Sequence, residues 1–284
     1  MYKRQDQFKY IIDQFPDLKE MGFTGIGESF LNKDFIRMIQ YVKSHRQIFM
    51  EIFDSFYYMD EKNIRDLIAT GIEKVYCSMD AATKNTYESI RVGSKYERII
   101  ENIKLFDQVK KELDLKYYPQ FWFHYIINKL NIDEVLDFIE LIHSLEIDVY
   151  AIQFTRLLHP FKEIKHLFVE IPESLQLEAV DLGKKYNISV VWNANVPKDK
   201  PPANRCIAWM MPFIFVDGTV IPCCPMNEAN RRWYQRKYSM GNIFQKSFKE
   251  IWYGEEYMKL RECLRNNRPH PSCIDCPLYK FEGE

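Results

Sequence analysis

The sequence predicts an α/β fold: a parallel sheet or barrel, followed by a smaller second domain. Three observations carry this. Short apolar runs alternate with amphipathic segments from residue 5 to residue 192, the pattern of strand–helix units that build a parallel sheet. The composition then breaks at Asn195-Val-Pro-Lys-Asp-Lys-Pro-Pro-Ala203, where three prolines and two lysines read as a linker. Beyond it, six of the seven cysteines fall between Cys206 and Cys276. The domains are therefore expected at 1–194, 205–284 and a linker at 195–204.

Taken in order, Phe8, Ile11, Ile12 and Phe15 recur at helical spacing, and Pro16 ends that helix. Phe23 to Ile26 reads as a strand running into Gly25, Gly27 and Glu28, and Phe35 to Val42 as the helix that follows. Ile48–Asp54 and Val75–Asp80 are further strands, separated by a helix capped by Asp60 and closed by Gly71. Thr86–Arg91 and Tyr96–Lys110 are helical, and Lys116–Ile127 is an aromatic strand. Asn131 and Glu134 have the spacing of a capping box for a helix through Leu145. Asp148–Phe154, Leu175–Tyr186 and Ile188–Trp192 complete the alternation. Past the linker, Phe213–Val216 and Thr219–Pro222 flank Asp217-Gly218, a hairpin signal. Phe248–Leu264 reads as one amphipathic helix.

The 284 residues are 46% hydrophobic with a net charge of −1, enough for a large core and without a field that gathers nucleic acid or an anionic membrane surface. No apolar run is long enough to span a bilayer, and residues 1–6 do not read as a signal peptide. A reducing cytoplasm is the expected compartment, where clustered cysteines mean metal more often than disulfide. Phe121–Tyr125 reads as a buried strand with a satisfied His124 rather than a pocket wall, and Arg231–Lys237 as a solvated loop rather than a nucleic-acid or peptide surface.

Cys206, Cys223, Cys273 and Cys276 form the candidate metal site. The Asp-Gly turn returns the chain so that Cys206 and Cys223 can approach, and Cys273-x-x-Cys276 offers two sulfurs from one loop. Four thiolates can hold tetrahedral zinc or an iron–sulfur cluster. Cys224, next to Cys223, points to the opposite face if the segment is extended; Cys223 is the expected ligand. Cys263 and Cys77 read as packing.

The order Cys206…Asp217-Gly218-x4-Cys223-Cys224-Pro, Met240-Gly241-Asn242-Ile, Ile251-Trp252 and Cys273-x-x-Cys276-Pro resembles the twitch/SPASM extension of radical S-adenosylmethionine (SAM) enzymes. Gly25-Ile-Gly27-Glu28-Ser-Phe-Leu-Asn-Lys-Asp-Phe35 and Ser78-Met-Asp80…Tyr87-x-x-Ile-Arg91 are similar to two segments of the barrel of the same superfamily. The resemblance implies a partial (β/α)6 TIM-like barrel, here without its first strand, and a small α+β domain binding one auxiliary [4Fe–4S] cluster. It implies a SAM site in which Gly25, Gly27 and Glu28 receive the methionyl amino group, Ser78 and Asp80 face the ribose or carboxylate, and Arg91 assists. It also implies cleavage of SAM to a 5′-deoxyadenosyl radical, hydrogen abstraction from a peptide or small-molecule substrate, and a reducing electron-donor protein. No membrane or nucleic-acid partner is expected.

The chain departs from that pattern in two places. The superfamily's C-x-x-x-C-x-x-C, which binds the catalytic [4Fe–4S] cluster, is absent, because no cysteine precedes Cys77. The expectation is that the first strand and this loop lie on a missing upstream segment and that the chain is inactive alone; a degenerate homologue without SAM cleavage is the alternative. Phe53-Asp54-Ser55 also stands where relatives usually carry Thr-Asn-Gly. A barrel without its first strand leaves the Phe23–Ile26 strand with an open edge, so the polypeptide is expected to self-associate, and a stable monomer in sedimentation would count against truncation.

Overall fold

Parallel strands joined by helices dominate the structure, a computed structural model that describes residues 5–25, 27–157, 162–193, 200–223, 226, 231–273, 276 and 278–282. Two compact units are distinguished. One comprises Leu18–Leu157 and His166–Asn195; the other comprises Met1–Asp17, Leu158–Lys165 and Val196–Glu284. The N-terminal helix α1, Gln5–Asp13, is thus grouped with the cysteine-bearing residues, whereas its place in the chain suggested the barrel.

The first of these units is a six-stranded sheet with strand order equal to sequence order. Its strands are β1 (Glu20–Phe23), β2 (Phe49–Asp54), β3 (Lys74–Ser78), β4 (Gln120–Ile127), β5 (Ala151–Arg156) and β6 (Ser189–Trp192). Every neighbouring pair is parallel. The crossovers are α2 (Phe35–His45), α3 (Glu61–Ala69), α4 (Lys84–Ile90) with α5 (Tyr96–Glu112), α6 (Val135–Ser144) and α7 (Glu173–Lys185). Asp60 caps α3 by accepting from the Asn63 amide at 2.7 Å, and Gly71 follows it at φ +74°, as its sequence signals require. Among the described residues β1 pairs only with β2, and the expected strand end at Ile26 lies outside them.

Burial alternates strictly along β4. Phe121, Phe123, Tyr125 and Ile127 are buried, while Gln120, Trp122, His124 and Ile126 are half-buried. The buried set meets the helices: Phe121 sits 4.9 Å from Phe106 and 5.4 Å from Phe56 between ring centroids, and Phe123 packs on Phe138. The opposite face carries polar groups that bond one another: the Tyr76 hydroxyl donates to Gln153 Oε1 at 3.3 Å, and His124 Nε2 lies 3.1 Å from Thr155 Oγ1. A parallel strand covered by helices on both faces would be apolar throughout. This alternation instead gives the sheet one helix-covered face and one polar–aromatic face, as the interior of an open barrel has.

One local expectation is corrected here. Asn131 and Glu134 do not form a capping box, since Asn131 makes no side-chain cap bond. Its amide instead donates to the carbonyls of Asp80 (2.8 Å) and Ile126 (2.9 Å). Glu134 reaches the α4 N-terminus, accepting from the amides of Ala82 and Thr83 and from the hydroxyls of Thr83 and Thr86. The long-range bonds win because these loops meet beside each other at the same end of the sheet.

The second unit contains a three-stranded antiparallel sheet in the order β7 (Phe213–Ile214), β8 (Thr219–Ile221), β9 (Gly241–Asn242). The Asp217-Gly218 hairpin forms as expected, and Gly218 sits at φ +83°. A Cβ there would also lie 2.4 Å from Phe244, so only glycine fits. Arg231–Lys237 is not a solvated loop: Arg232–Lys237 forms helix α8, with Tyr234 and Gln235 buried. The helix expected over 248–264 is two helices, α9 (Phe248–Trp252) and α10 (Glu255–Arg265). The break falls at Gly254, whose close backbone approach to the Glu250 carbonyl leaves a Cβ only 2.8 Å of room. A capping box does occur at Ser247 and Glu250.

Truncating Phe121 to Ala should remove the ring on which Phe56, Phe106 and Phe123 all rest. The expected loss of stability is about 3–5 kcal/mol, read as a lower midpoint in urea denaturation, whereas Leu113→Ala at an exposed position should change it little.

Candidate functional site

The candidate small-molecule site is built from the C-terminal ends of β1, β2 and β3. β2 ends at Asp54 opposite Cys77 of β3, and β3 ends at Ser78 opposite His124 of β4. In parallel α/β sheets the loops at this edge hold ligands, because strand ends splay and helix starts converge there. Gly25 and Gly27 follow β1 at φ +146° and +122°, with nothing within 4 Å of either missing Cβ. Two residues with that freedom give an open turn whose backbone is accessible to a ligand.

Glu28 accepts a hydrogen bond from Ser55 Oγ at 2.6 Å. Asp54, one residue earlier, is 4% exposed and accepts from the Phe56 amide at 2.8 Å. Burial lifts its carboxyl from the ordinary 3.8 to about 7, against the amide bond that opposes the lift, with Glu28 adding to it. The Phe53-Asp54-Ser55 departure is therefore structured: Ser55 holds Glu28, and Asp54 supplies a second carboxyl group within its electrostatic reach.

Asp80 is fixed from three sides. Its Oδ1 accepts from the Ile126 amide at 2.8 Å, its Oδ2 takes the Arg91 guanidinium at 2.6–2.8 Å, and its carbonyl accepts from Asn131. Arg91 loses hydration by burial, but Asp80 and then Tyr87 more than restore its preference for the charged form. Cys77 is wholly buried with a thiol well above its usual range, first because of desolvation, the signature of packing rather than reactivity. His124 is held toward its neutral form by burial, against the attraction of Asp80. Of the residues expected to face a ligand, Gly25, Gly27, Glu28 and Ser78 stand at this edge, and Glu28 is held there by Ser55. Asp80 and Arg91 chiefly satisfy each other. Asn131, Glu134 and Asp54 were not predicted as parts of the site. Asp54 alone left a signal, as an acid at the end of an apolar strand.

The cysteines lie in the other unit. Cys206, Cys273 and Cys276 pack against one apolar cluster that includes Val220, Ile251, Tyr257 and Leu260; Cys223 packs against a second, with Ile221, Met226 and Tyr234. Main-chain pairing brings the ends of the segment together: Ala203 donates to the Lys280 carbonyl at 2.9 Å and Lys280 to that of Pro201 at 3.0 Å. The Cys276 amide donates to the Cys273 carbonyl at 3.1 Å, closing the C-x-x-C loop. Burial raises the Cys206 thiol, and pushes that of Cys273 up to about 12, with Cys276 and Cys206 adding to the rise.

Among the described residues no three Cys, His, Asp or Glu side chains stand close enough to hold a metal as placed; Cys224 lies outside them. The donor chemistry fits a soft metal nonetheless. Thiols that raise one another's pKa in an apolar wall gain most from a cation that takes them as thiolates. Among the described residues of this unit two buried polar atoms lack a partner, the hydroxyl of Tyr257 and Nε2 of His270. No described helix is long and apolar enough to cross a membrane.

Known proteins resemble this arrangement. Residues 206–277 match the SPASM family, described as an iron–sulfur cluster-binding domain. The chain is 25% identical, over 96% of its length and 78% of the relative's, to a tungsten-containing aldehyde ferredoxin oxidoreductase cofactor-modifying protein of Pyrococcus furiosus. In structure it is similar to Streptococcus suis SuiB bound to S-adenosylmethionine, with a TM-score of 0.66 and 12% identity over 99% of this chain and 69% of that one. It is likewise similar to anSMEcpe with bound AdoMet, with a TM-score of 0.68 and 14% identity over 98% of this chain and 84% of that one. The resemblance to radical SAM enzymes is borne out, in fold by these structures and in the cysteine region by the SPASM match.

Asp54 gives this site a pH dependence. Its folded value, about 7, lies above its unfolded value, 3.8, so the unfolded chain ionises first as pH rises. Stability present below pH 4 is lost between about pH 4 and 7, on the order of 4 kcal/mol in all. Asp54→Asn keeps an acceptor for Phe56 and removes the titration. The variant should gain on the wild type from pH 5 to pH 8 in thermal denaturation, and a constant difference would show that Asp54 ionises freely.

Proposed function

We propose that the chain is a radical SAM-type protein that binds SAM at the barrel edge and an iron–sulfur cluster through Cys206, Cys223, Cys273 and Cys276. The observation that carries this reading is the edge itself: the Gly25–Glu28 turn, Ser78 and the Asp80–Arg91 pair all end neighbouring parallel strands or the loops after them. Backbone carbonyls of the Gly25–Gly27 turn and the Glu28 carboxylate would accept from the methionyl ammonium. Ser78 would meet the ribose or carboxylate, with Arg91 as a neighbouring cation. Ser55 holds Glu28 in place through its hydroxyl, and Asp80 holds Arg91.

The activity proposed is reductive cleavage of SAM and hydrogen abstraction from a substrate. When bound, the cluster on the four cysteines supplies a one-electron store or a ligand position for substrate. The C-x-x-x-C-x-x-C needed for a catalytic cluster is not in these 284 residues, so the reading takes these residues alone to be inactive. A peptide is one substrate class, since solved SuiB and anSMEcpe structures contain peptides; a small cofactor, after the Pyrococcus relative, is the other. A reducing protein would supply electrons. A second reading, a binding protein that no longer cleaves SAM, draws on the internal pairing of Asp80 with Arg91 and of Glu28 with Ser55.

Anaerobically purified protein should be brown and contain about four iron and four sulfide per chain, with Cys273→Ala losing most of both. A colourless protein with one zinc would sink the cluster assignment. In equilibrium dialysis SAM should bind, and Glu28→Ala should weaken that binding about tenfold, the equivalent of roughly 1.4 kcal/mol. Absence of SAM binding would leave only the second reading.

A further inference from the structure

Tyr257 is among the largest fully buried side chains, at 0% exposure, and its hydroxyl has no hydrogen-bond partner among the described residues. It belongs to the apolar cluster against which Cys206, Cys273 and Cys276 pack. Its ring is held on one side by Trp252, 5.0 Å away between centroids, and the Arg261 guanidinium lies 5.7 Å from it. Buried phenols almost always find an acceptor, because an unpaired hydroxyl inside a protein loses its hydration for nothing. A position needing only bulk would be served by phenylalanine.

We propose that the Tyr257 hydroxyl donates a hydrogen bond to a sulfur of the four-cysteine centre, a thiolate of the cysteines packed against its cluster or a cluster sulfide next to them, and so sets the centre's reduction potential. The proposal rests on the iron–sulfur reading above. A hydrogen bond to cluster sulfur stabilises the reduced form, which carries one more negative charge, and so raises the potential. Tyr257 acts through the ligand and not on substrate, so it is a positioning and tuning residue. The same hydroxyl has opposite effects in the two states of the protein. Without metal it is an unpaired buried donor, and its removal should stabilise the fold; with metal it has an acceptor, and its removal should cost.

The test is Tyr257→Phe in the full chain, purified anaerobically beside the wild type, with iron and sulfide measured first. Wild type without iron and sulfide overturns the cluster reading itself. With the cluster present in both proteins, the midpoint potential is measured by dithionite titration followed by electron paramagnetic resonance. The variant should be about tenfold harder to reduce at a given potential, a shift of about −59 mV for one electron. In deuterated buffer, electron–nuclear double resonance should show an exchangeable proton coupled to the wild-type cluster and missing from Tyr257→Phe. The melting temperature of metal-free Tyr257→Phe should be equal to or above that of the wild type, which separates the effect from misfolding. Equal potentials with the same exchangeable proton in both proteins would overturn the proposal.

Discussion

The end of β3 depends on one buried ion pair. Asp80 follows directly from the strand, and three separate elements converge on it: the Ile126 amide near the end of β4, the Arg91 guanidinium just past α4, and the Asn131 amide before α6. Each would be a modest bond alone. Together they pair both carboxylate oxygens of Asp80 and its carbonyl, the kind of compensation under which a buried charge is tolerated. Replacing one partner would strand the others, so the junction acts as a unit. Glu134 extends it by binding two amides and two hydroxyls at the α4 start. Burial raises its carboxyl, but those bonds outweigh the burial and hold it below the usual range. The loops that frame the barrel edge are therefore anchored by carboxylates whose acceptors are already spoken for. That leaves Gly25, Gly27 and Glu28, on the far side, as the more open part.

This division explains what the sequence made legible. Strand order, parallel pairing and the helical crossovers follow from the alternation of apolar runs, and the observed sheet agrees with it. The Asp60 and Asp217-Gly218 signals act over three or four residues and survived, because local bonds compete with nothing else there. Asn131 and Glu134 carried an equally good local signal and failed. Their partners lie some fifty positions away in the chain, and no pattern of spacing encodes a contact between two loops. The helix expected over 248–264 failed for a related reason: its apolar period continues through Gly254 although the backbone does not. For the candidate site, the resemblance singled out Glu28 and Asp80, and spacing singled out the cysteines. They could not show that Ser55 would hold Glu28, or that Asp54 would be buried to 4% exposure.

The two faces of the sheet divide structure from chemistry. Phe121, Phe123, Tyr125 and Ile127 meet helices, and their rings hold the unit together. The alternate residues of the same strand, with Phe53, Tyr76, Gln153 and Thr155 beside them, form a surface of stacked rings and short polar bonds; Phe53 and Tyr76 lie 4.0 Å apart and nearly parallel. A ligand on that face would exchange contacts with groups already paired, at little cost in buried polar atoms. His124, kept neutral mainly by burial, can then bond without bringing a charge.

The thiols face the reverse situation. Cys206 and Cys273 sit among apolar side chains that disfavour their ionised forms, and Cys276 disfavours the charge of both. A protein gains nothing in stability from such a wall of thiols in the absence of metal, since a small apolar side chain would pack there equally well. A divalent metal or a cluster reverses the balance: it takes the thiolates without their protons, and binding free energy becomes folding free energy. The local structure is consistent with that coupling. The strands beside the cysteines are two or three residues long, and Lys280, after the C-x-x-C loop, is tied by main-chain bonds to Pro201 and Ala203, before Cys206. Such a unit has a modest core for its size, so the bond between sulfur and metal is the interaction best placed to fix it.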